Sequence, residues 1–328
     1  MFKFLFILIL LTSCASRNKI VIAHRGASGY LPEHTLAATA LAHSWGVDYI
    51  EPDIVLTKDN VPVILHDIHI DTTTNVAEHF KGRERSDGRF YAIDFTLKEL
   101  KKLNVSERFN YKTGARIFPD RFNSNKVEFK IPTLVEFIEL VQGLNKTRSV
   151  EIGIYPEIKS PEFHMSENKD ITKVVFKILS DYGYNKPGSK IYLQCFYLPT
   201  LKRLKQEFKT NIPLIFLIAE NSWKESSLDY TYFQTYKGLR EASKYIDGIG
   251  PYLNQLFKID SKGNLISAGF VEIAKNLNLK VHPYTHRQDQ LPKDIHSNKE
   301  YFDLIYKKLK VDGVFSDFGD IAIKYSRN

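Results

Sequence analysis

The chain has 328 residues, 43% hydrophobic and 26% charged, which suits one large domain or two small ones and excludes a largely disordered polypeptide. Its formal charge of +8 admits nucleic acid, an anionic surface or phosphate-bearing substrates as partners. The sequence has no dense Lys/Arg tract and no zinc-finger or RNP-type motif, which argues against a nucleic-acid role.

At the N-terminus, Met1-Phe2-Lys3 leads into an unbroken apolar run from Phe4 to Leu11, followed by Thr12-Ser13-Cys14. A positive start, an apolar stretch too short to span a bilayer and small residues before a cut site describe an export signal. The ending Leu11-Thr12-Ser13-Cys14 resembles a bacterial lipoprotein signal. The resemblance implies a signal peptide over residues 1–13, acylation of Cys14, attachment to a membrane through that lipid, and a place in the cell envelope, periplasmic or surface. The alternative is an ordinary secretory peptide with an incidental cysteine. The other cysteine, Cys195, would then have no intramolecular partner and reads as a small buried hydrophobe. Residues 14–19 read as a tether and 20–328 as one domain.

From residue 20 onward, strand-like and helix-like segments alternate. The first strand, 20–24, ends in His24-Arg25-Gly26, and an Ala/Leu-rich helix is expected over 33–44. Residues 48–56 form a second strand, 57–60 a turn, and 61–65 a return strand ending in His66-Asp67. A four-residue connection cannot hold a crossover helix, so these two strands must be antiparallel. Residues from about 68 to 130 are polar, charged and aromatic, and read as an insertion. A helix then starts at Thr133, with Glu136 completing a capping box. Strands are expected at 151–158, 191–195, 213–218, 246–249, 280–284 and 313–316, separated by helices near 170–182, 199–208, 234–245, 268–278 and 298–309. Without the return strand there are eight strand candidates, which fits an α/β fold of the TIM (β/α)8 barrel type. A doubly wound sheet is the alternative, but no Gly-x-Gly-x-x-Gly or P-loop supports it.

Barrel chemistry sits at the C-terminal ends of strands, and ionisable residues recur there. Glu51 and Asp53 share one face of their strand, as do Glu157 and Lys159. Two acids on one face of a core strand are costly unless paired or bound to a cation. Glu51, Asp53 and Glu157 could together hold a hard divalent ion, Ca²⁺ or Mg²⁺; a salt-bridged strand end is the plainer explanation. Lys159 can contact a phosphate as a point charge and Arg25 can grip one bidentately. His24 and His66 end two strands and can serve as acid and base across a phosphodiester. Among the remaining histidines, His34 can orient its neighbours, whereas His43, His79, His164 and His296 read as surface residues.

These segments resemble the glycerophosphodiester phosphodiesterase family in order and spacing: Ala23-His24-Arg25-Gly26, Glu51-Pro52-Asp53, His66-Asp67 and Pro156-Glu157-Ile158-Lys159. Leu31-Pro32-Glu33-His34-Thr35, Tyr192 to Phe196, Asp247 to Pro251, Val281 to Thr285 and Ser316-Asp317-Phe318 agree as well. The likeness covers about 20–325 and is to the exported bacterial branch; His34 stands where many relatives have Asn. It implies a PI-PLC-like barrel, one divalent cation (Ca²⁺ favoured, Mg²⁺ possible) at Glu51, Asp53 and Glu157, acid–base roles for His24 and His66, and phosphate contacts from Arg25 and Lys159. Gln194, Phe196 and Tyr284 would line the substrate pocket. The implied reaction is hydrolysis of glycerophosphodiesters, such as glycerophosphocholine, to sn-glycerol 3-phosphate and an alcohol. A phospholipase acting on intact lipids and a non-catalytic surface binding protein are the competing functions. Oligomeric state is not legible.

Overall fold

The first strand of the computed structural model, β1 (Ile20–His24), is flanked by parallel partners on both sides. Residues 19–124 and 126–327 are described; the signal segment and Cys14 lie outside them. In chain order the next strands are β2 (Tyr49–Glu51), β3 (Asp53–Leu56), β4 (Pro62–Ile64), β5 (Gly153–Ile154) and β6 (Glu157–Ile158). Then come β7 (Leu193–Cys195), β8 (Leu214–Ile218), β9 (Gly248–Pro251), β10 (Phe257–Ile259), β11 (Leu265–Ser267), β12 (Lys280–Val281) and β13 (Gly313–Ser316). Two of the expected strands are interrupted at a proline, Pro52 between β2 and β3 and Pro156 ahead of β6. Proline offers no N–H to the ladder, yet both carbonyls still accept, Pro52 from Glu157 N–H (2.9 Å) and Pro156 from Gln194 N–H (3.0 Å). Each broken pair therefore acts as one stave.

The staves run parallel from β13 through β1, β2/β3, β5/β6, β7, β8 and β9 to β12. Asp312 N–H to Val281 O (3.0 Å) and Phe315 N–H to Pro283 O (3.0 Å) join the last stave back to β13. The fold is a closed (β/α)8 barrel. β4 returns antiparallel on β3, with Ile54 opposite Ile64 and Leu56 opposite Pro62, as the short connection required.

Helices cover the outside, among them Leu36–Trp45, Leu134–Arg148, Ile171–Asp181 and Leu198–Gln206. Leu134–Arg148 starts on the expected capping box: Thr133 N–H donates to Glu136 Oε2 (2.7 Å) and Glu136 N–H to Thr133 Oγ1 (3.1 Å). The first helix begins at Leu36, not at 33, because Thr35 caps it by accepting Ala38 N–H (3.1 Å); Glu33 and His34 belong to the preceding loop. The helix expected over 298–309 is Asn298–Phe302 followed by a wider π-helical stretch, Asp303–Lys308. The β10–β11 hairpin carried no signal read from the sequence. His43 and His164, expected at the surface, are buried: His43 Nε2 meets Asn145 Oδ1 (2.9 Å), and His164 Nε2 accepts Leu56 N–H (3.0 Å).

Three cores hold the molecule together. One lies between strands and helices. A second fills the barrel with Ile22, Tyr49, Tyr155, Ile215 and Phe315. The third gathers Ile70, Phe90, Phe95, Leu100 and Leu103 of the 68–130 region against Val55, Val63 and Leu65 of the hairpin. Burying each such large side chain contributes roughly 1.5–3 kcal/mol.

Candidate active site

The site continues the rows of side chains that fill the barrel. Side chains on one face of a strand recur every second residue. Two positions beyond Ile22, Tyr49, Tyr155 and Phe315 stand His24, Glu51, Glu157 and Asp317. The interior is apolar below this level and ionisable at it, at the C-terminal mouth where barrel chemistry is found.

Glu51, Asp53 and Glu157 each offer a carboxylate oxygen, all within 4.8 Å of one another, and all three are buried. His34 Nε2 lies 2.8 Å from Asp53 Oδ2, and Arg25 N–H donates to Glu51 Oε2 (2.8 Å). Asp53 Oδ1 is buried with no hydrogen-bond partner. Burial, then Asp53 and Glu157, push the Glu51 carboxyl well above the usual range. Burial also raises Glu157, more than the Lys159 ammonium lowers it, with Asp53 adding to the rise. Burial opposes ionisation of Asp53 too, but His66, the His34 hydrogen bond and Lys159 hold it well below its ordinary value. Three crowded, desolvated carboxylates with an unpartnered oxygen form a donor set that fits a hard divalent cation.

The two histidines are held alike. His24 Nδ1–H donates to Asp317 Oδ1 (2.6 Å), and His66 Nδ1–H to Asp67 Oδ1 (2.6 Å). A carboxylate only accepts, so each neutral ring keeps its lone pair on Nε2. Burial, with Arg25 adding and Asp317 opposing, lowers His24 to about 4. Burial, Arg25 and Lys159 lower His66. Both shifts favour the neutral imidazole, which can accept a proton on Nε2.

Both rings face a cavity of about 430 Å³, with Arg25, Glu51, Glu157, Gln194, Phe196 and Tyr284 also on its wall. Asp53 and Lys159 lie behind it. Lys159 Nζ forms an ion pair with Glu157 Oε1 (2.9 Å), stands 3.4 Å from His66 Nε2 and lies 5.1 Å from the Phe196 ring centroid. Gln194 Nε2 donates to Glu51 Oε1 (3.4 Å). Tyr284 presents its ring, its hydroxyl being spent on Ile218 O (3.1 Å). Arg25 NH1 is tied to Glu33 (3.0 Å), whereas its buried Nε has no hydrogen bond. All ten residues singled out from the sequence therefore meet at one place.

Other residues there were not singled out. Asp67, Asp317 and Glu33 hold His66, His24 and Arg25. Arg108 and Arg121 reach in from the 68–130 region, and Glu225 lies 3.6 Å from Lys159. Asp317 and Asp67 carried a usable signal, since Asp317 directly follows the last strand, two positions beyond Phe315, and Asp67 follows His66 directly. Arg108, Arg121 and Glu225 carried none.

A closed barrel with three carboxylates and two carboxylate-held histidines at its C-terminal mouth defines a hydrolase of the phosphodiester-cleaving type. Residues 24–321 match the glycerophosphoryl diester phosphodiesterase family. A glycerophosphodiester phosphodiesterase of Haemophilus influenzae is 42% identical over 94% of this chain and 90% of its own, and that of Treponema pallidum is 35% identical over 96% and 94%. Among solved structures, a phosphodiesterase from Oleispira antarctica in complex with the product sn-glycerol-3-phosphate superposes with a TM-score of 0.62 at 22% identity, covering 95% and 98% of the two chains. The glycerophosphodiester phosphodiesterase of Thermotoga maritima gives 0.58 at 19%, covering 93% and 97%. The chain belongs to the glycerophosphoryl diester phosphodiesterase family and is an enzyme of the phosphoric diester hydrolase class.

Proposed function

We propose that the enzyme hydrolyses glycerophosphodiesters, such as glycerophosphocholine and glycerophosphoethanolamine, to sn-glycerol 3-phosphate and an alcohol. The observation that carries this reading is the pair of Nδ1-anchored histidines facing one cavity beside a buried carboxylate trio. The names of the Haemophilus and Treponema relatives and the product in the Oleispira complex support it.

His24 and His66 are the acid–base pair. One Nε2 takes the proton from the glycerol hydroxyl next to the phosphate as that oxygen attacks phosphorus. The bond from phosphorus to the head-group oxygen breaks, and the other imidazolium protonates the departing alcohol. The diester's negative charge favours the protonated form of that second histidine. Water then opens the cyclic phosphate with the roles reversed. Arg25 and Lys159 balance charge on the phosphate. Gln194, Phe196 and Tyr284 shape the pocket. Glu51, Asp53 and Glu157 would hold one divalent cation, Ca²⁺ favoured over Mg²⁺, which when bound would withdraw charge from the phosphate oxygens.

We also infer that the chain is exported and lipid-anchored at Cys14, with 1–13 removed, 14–19 as tether and 20–328 as one barrel domain with an insertion at about 68–130. The support is the apolar Phe4–Leu11 run ending at Leu-Thr-Ser-Cys and, for one domain, the core that the insertion shares with Val55, Val63 and Leu65.

The test is release of sn-glycerol 3-phosphate from glycerophosphocholine, with and without chelator. We expect turnover that chelation abolishes and Ca²⁺ restores. A rate on lysophosphatidylcholine exceeding that on glycerophosphocholine would favour a phospholipase, and no chelator-sensitive release would favour a binding protein.

A further inference from the structure

We propose that the 68–130 insertion is a working part of the catalytic machinery, with Arg108 and Arg121 as positioning residues that each fix one histidine through its carboxylate. The proposal rests on the acid–base roles given above to His24 and His66.

The two arrangements are parallel. Asp67 uses Oδ1 for His66 Nδ1 and Oδ2 for Arg108 NH1 (2.6 Å), with Thr72 Oγ1–H also donating to Oδ2 (3.2 Å). Asp317 uses Oδ1 for His24 Nδ1 and Oδ2 for Arg121 NH2 (2.8 Å) and Arg287 Nε (2.9 Å). Each arginine is itself clamped. Arg108 forks onto Glu33 through NH2 (2.6 Å) and Nε (3.1 Å), and Glu33 is also the partner of Arg25 NH1. Arg121 forks onto Asp289 through Nε (2.8 Å) and NH2 (3.0 Å), and its NH1 reaches Ser28 O (3.3 Å). Arg121 and Asp317 are 4% and 2% exposed, so the screening that makes surface pairs weak is absent here.

Neither arginine lines the cavity, and each ends instead on a histidine's carboxylate. What they supply is direction. A carboxylate beside an imidazole can rotate about its own bonds, and the ring can rotate with it. A guanidinium bonded to the second oxygen, and itself clamped by a fork onto another carboxylate, fixes the carboxylate plane and thus the axis along which Nε2 points. An insertion attached only for stability would not need two of its arginines to end on the two histidine carboxylates. The insertion has another arginine that anchors without touching a histidine partner: Arg85 bonds Asp94 (2.7 and 2.8 Å) and crosses to Glu167 on the barrel (2.6 Å). It is the internal control.

The experiment compares Arg108→Gln, Arg108→Lys, Arg121→Gln and Arg85→Gln in the full chain labelled with ¹⁵N-histidine. The first readout is the low-field Nδ1–H resonances of His24 and His66, which need no substrate. The second is kcat and KM on glycerophosphocholine. Arg108→Gln should displace the His66 resonance alone and lower kcat about 10–100-fold, with KM changed less than about threefold. Arg108→Lys should recover part of that loss, because charge returns without the fork. Arg121→Gln should displace the His24 resonance with a smaller kcat loss, Arg287 still holding the same carboxylate. Arg85→Gln should move neither resonance and leave kcat within about twofold, its pairs being partly exposed. Unmoved resonances in both variants, or an Arg85→Gln loss equal to that of Arg108→Gln, would overturn the proposal. If the resonances respond as expected while the wild type shows no hydrolysis, the substrate reading fails and the positioning role stands.

Discussion

Glu107 is 7% exposed, and its Oε2 has no hydrogen-bond partner. Burial, then the charge of Glu33, push its carboxyl up to about 7 against the pull of Arg121, from an ordinary value of 4.5. Between those two pH values the unfolded chain has lost the proton and the folded one keeps it. Stability must therefore fall as pH rises from 4.5 to 7 and then level off. Glu107→Gln removes this residue's share of that fall. Its thermal midpoint should match the wild type near pH 4 and exceed it at pH 8, by an amount equivalent to about 1–2 kcal/mol. A wild type as stable as the variant at pH 8 would refute the assignment. Such a residue could not have been read from sequence, nor could Arg108 or Arg121. Arg108 meets Glu33 across 75 positions and Arg121 meets Asp317 across 196, so no local pattern marks them. The residues that were legible, His24, Glu51, Asp53, His66 and Glu157, all interrupt or end apolar strands. Their position in the strand is itself the signal.

The turn after β1 sets the site through its backbone. Arg25 (φ 58°) and Gly26 (φ 81°) both take left-handed conformations, which turn the Arg25 N–H onto Glu51 Oε2 at 2.8 Å. A Cβ on Gly26 would also lie 2.9 Å from Ala38 C and 3.1 Å from Thr39 N, in the first turns of the Leu36–Trp45 helix. Gly26→Ala must therefore shift either the turn or the helix, at a cost of about 1–3 kcal/mol. We expect a lower melting temperature by thermal denaturation together with a kcat loss of about tenfold or more. A stability loss with kcat intact would show that the turn is structural only. Elements like this one divide what the sequence revealed from what it hid. Period and spacing gave the eight staves and the antiparallel β3–β4 return. They did not give the breaks at Pro52 and Pro156, because a proline in an apolar run does not say whether its carbonyl still pairs. They also placed the first helix three residues early, since Glu33 and His34 fit a helical pattern but are drawn off it by Arg25 and Asp53.

Seen whole, the molecule has two unlike ends. β1 enters at Ile20, beside Asp312 and Gly313, and leaves at His24 in the catalytic mouth, a rise of roughly 13 Å along the strand. Lys19 Nζ is bonded to Val311 O (2.7 Å) at the entry end. From Cys14 to Lys19 the chain can reach at most about 18 Å. An anchor at Cys14 would therefore hold the entry end of the barrel nearest the membrane and turn the mouth away from it. That geometry suits a diester free in solution and disfavours one embedded in a bilayer, where a mouth must meet the lipid surface. Cys14→Ser should move the protein from the membrane fraction to the soluble one and abolish labelling with palmitate. It should leave kcat/KM for glycerophosphocholine within about twofold, because Lys19 and Ile20 lie at the opposite end of β1 from His24. Membrane retention of the variant would remove the anchor. A large fall in its kcat/KM would show instead that attachment and catalysis are coupled, and that the mouth works against the membrane.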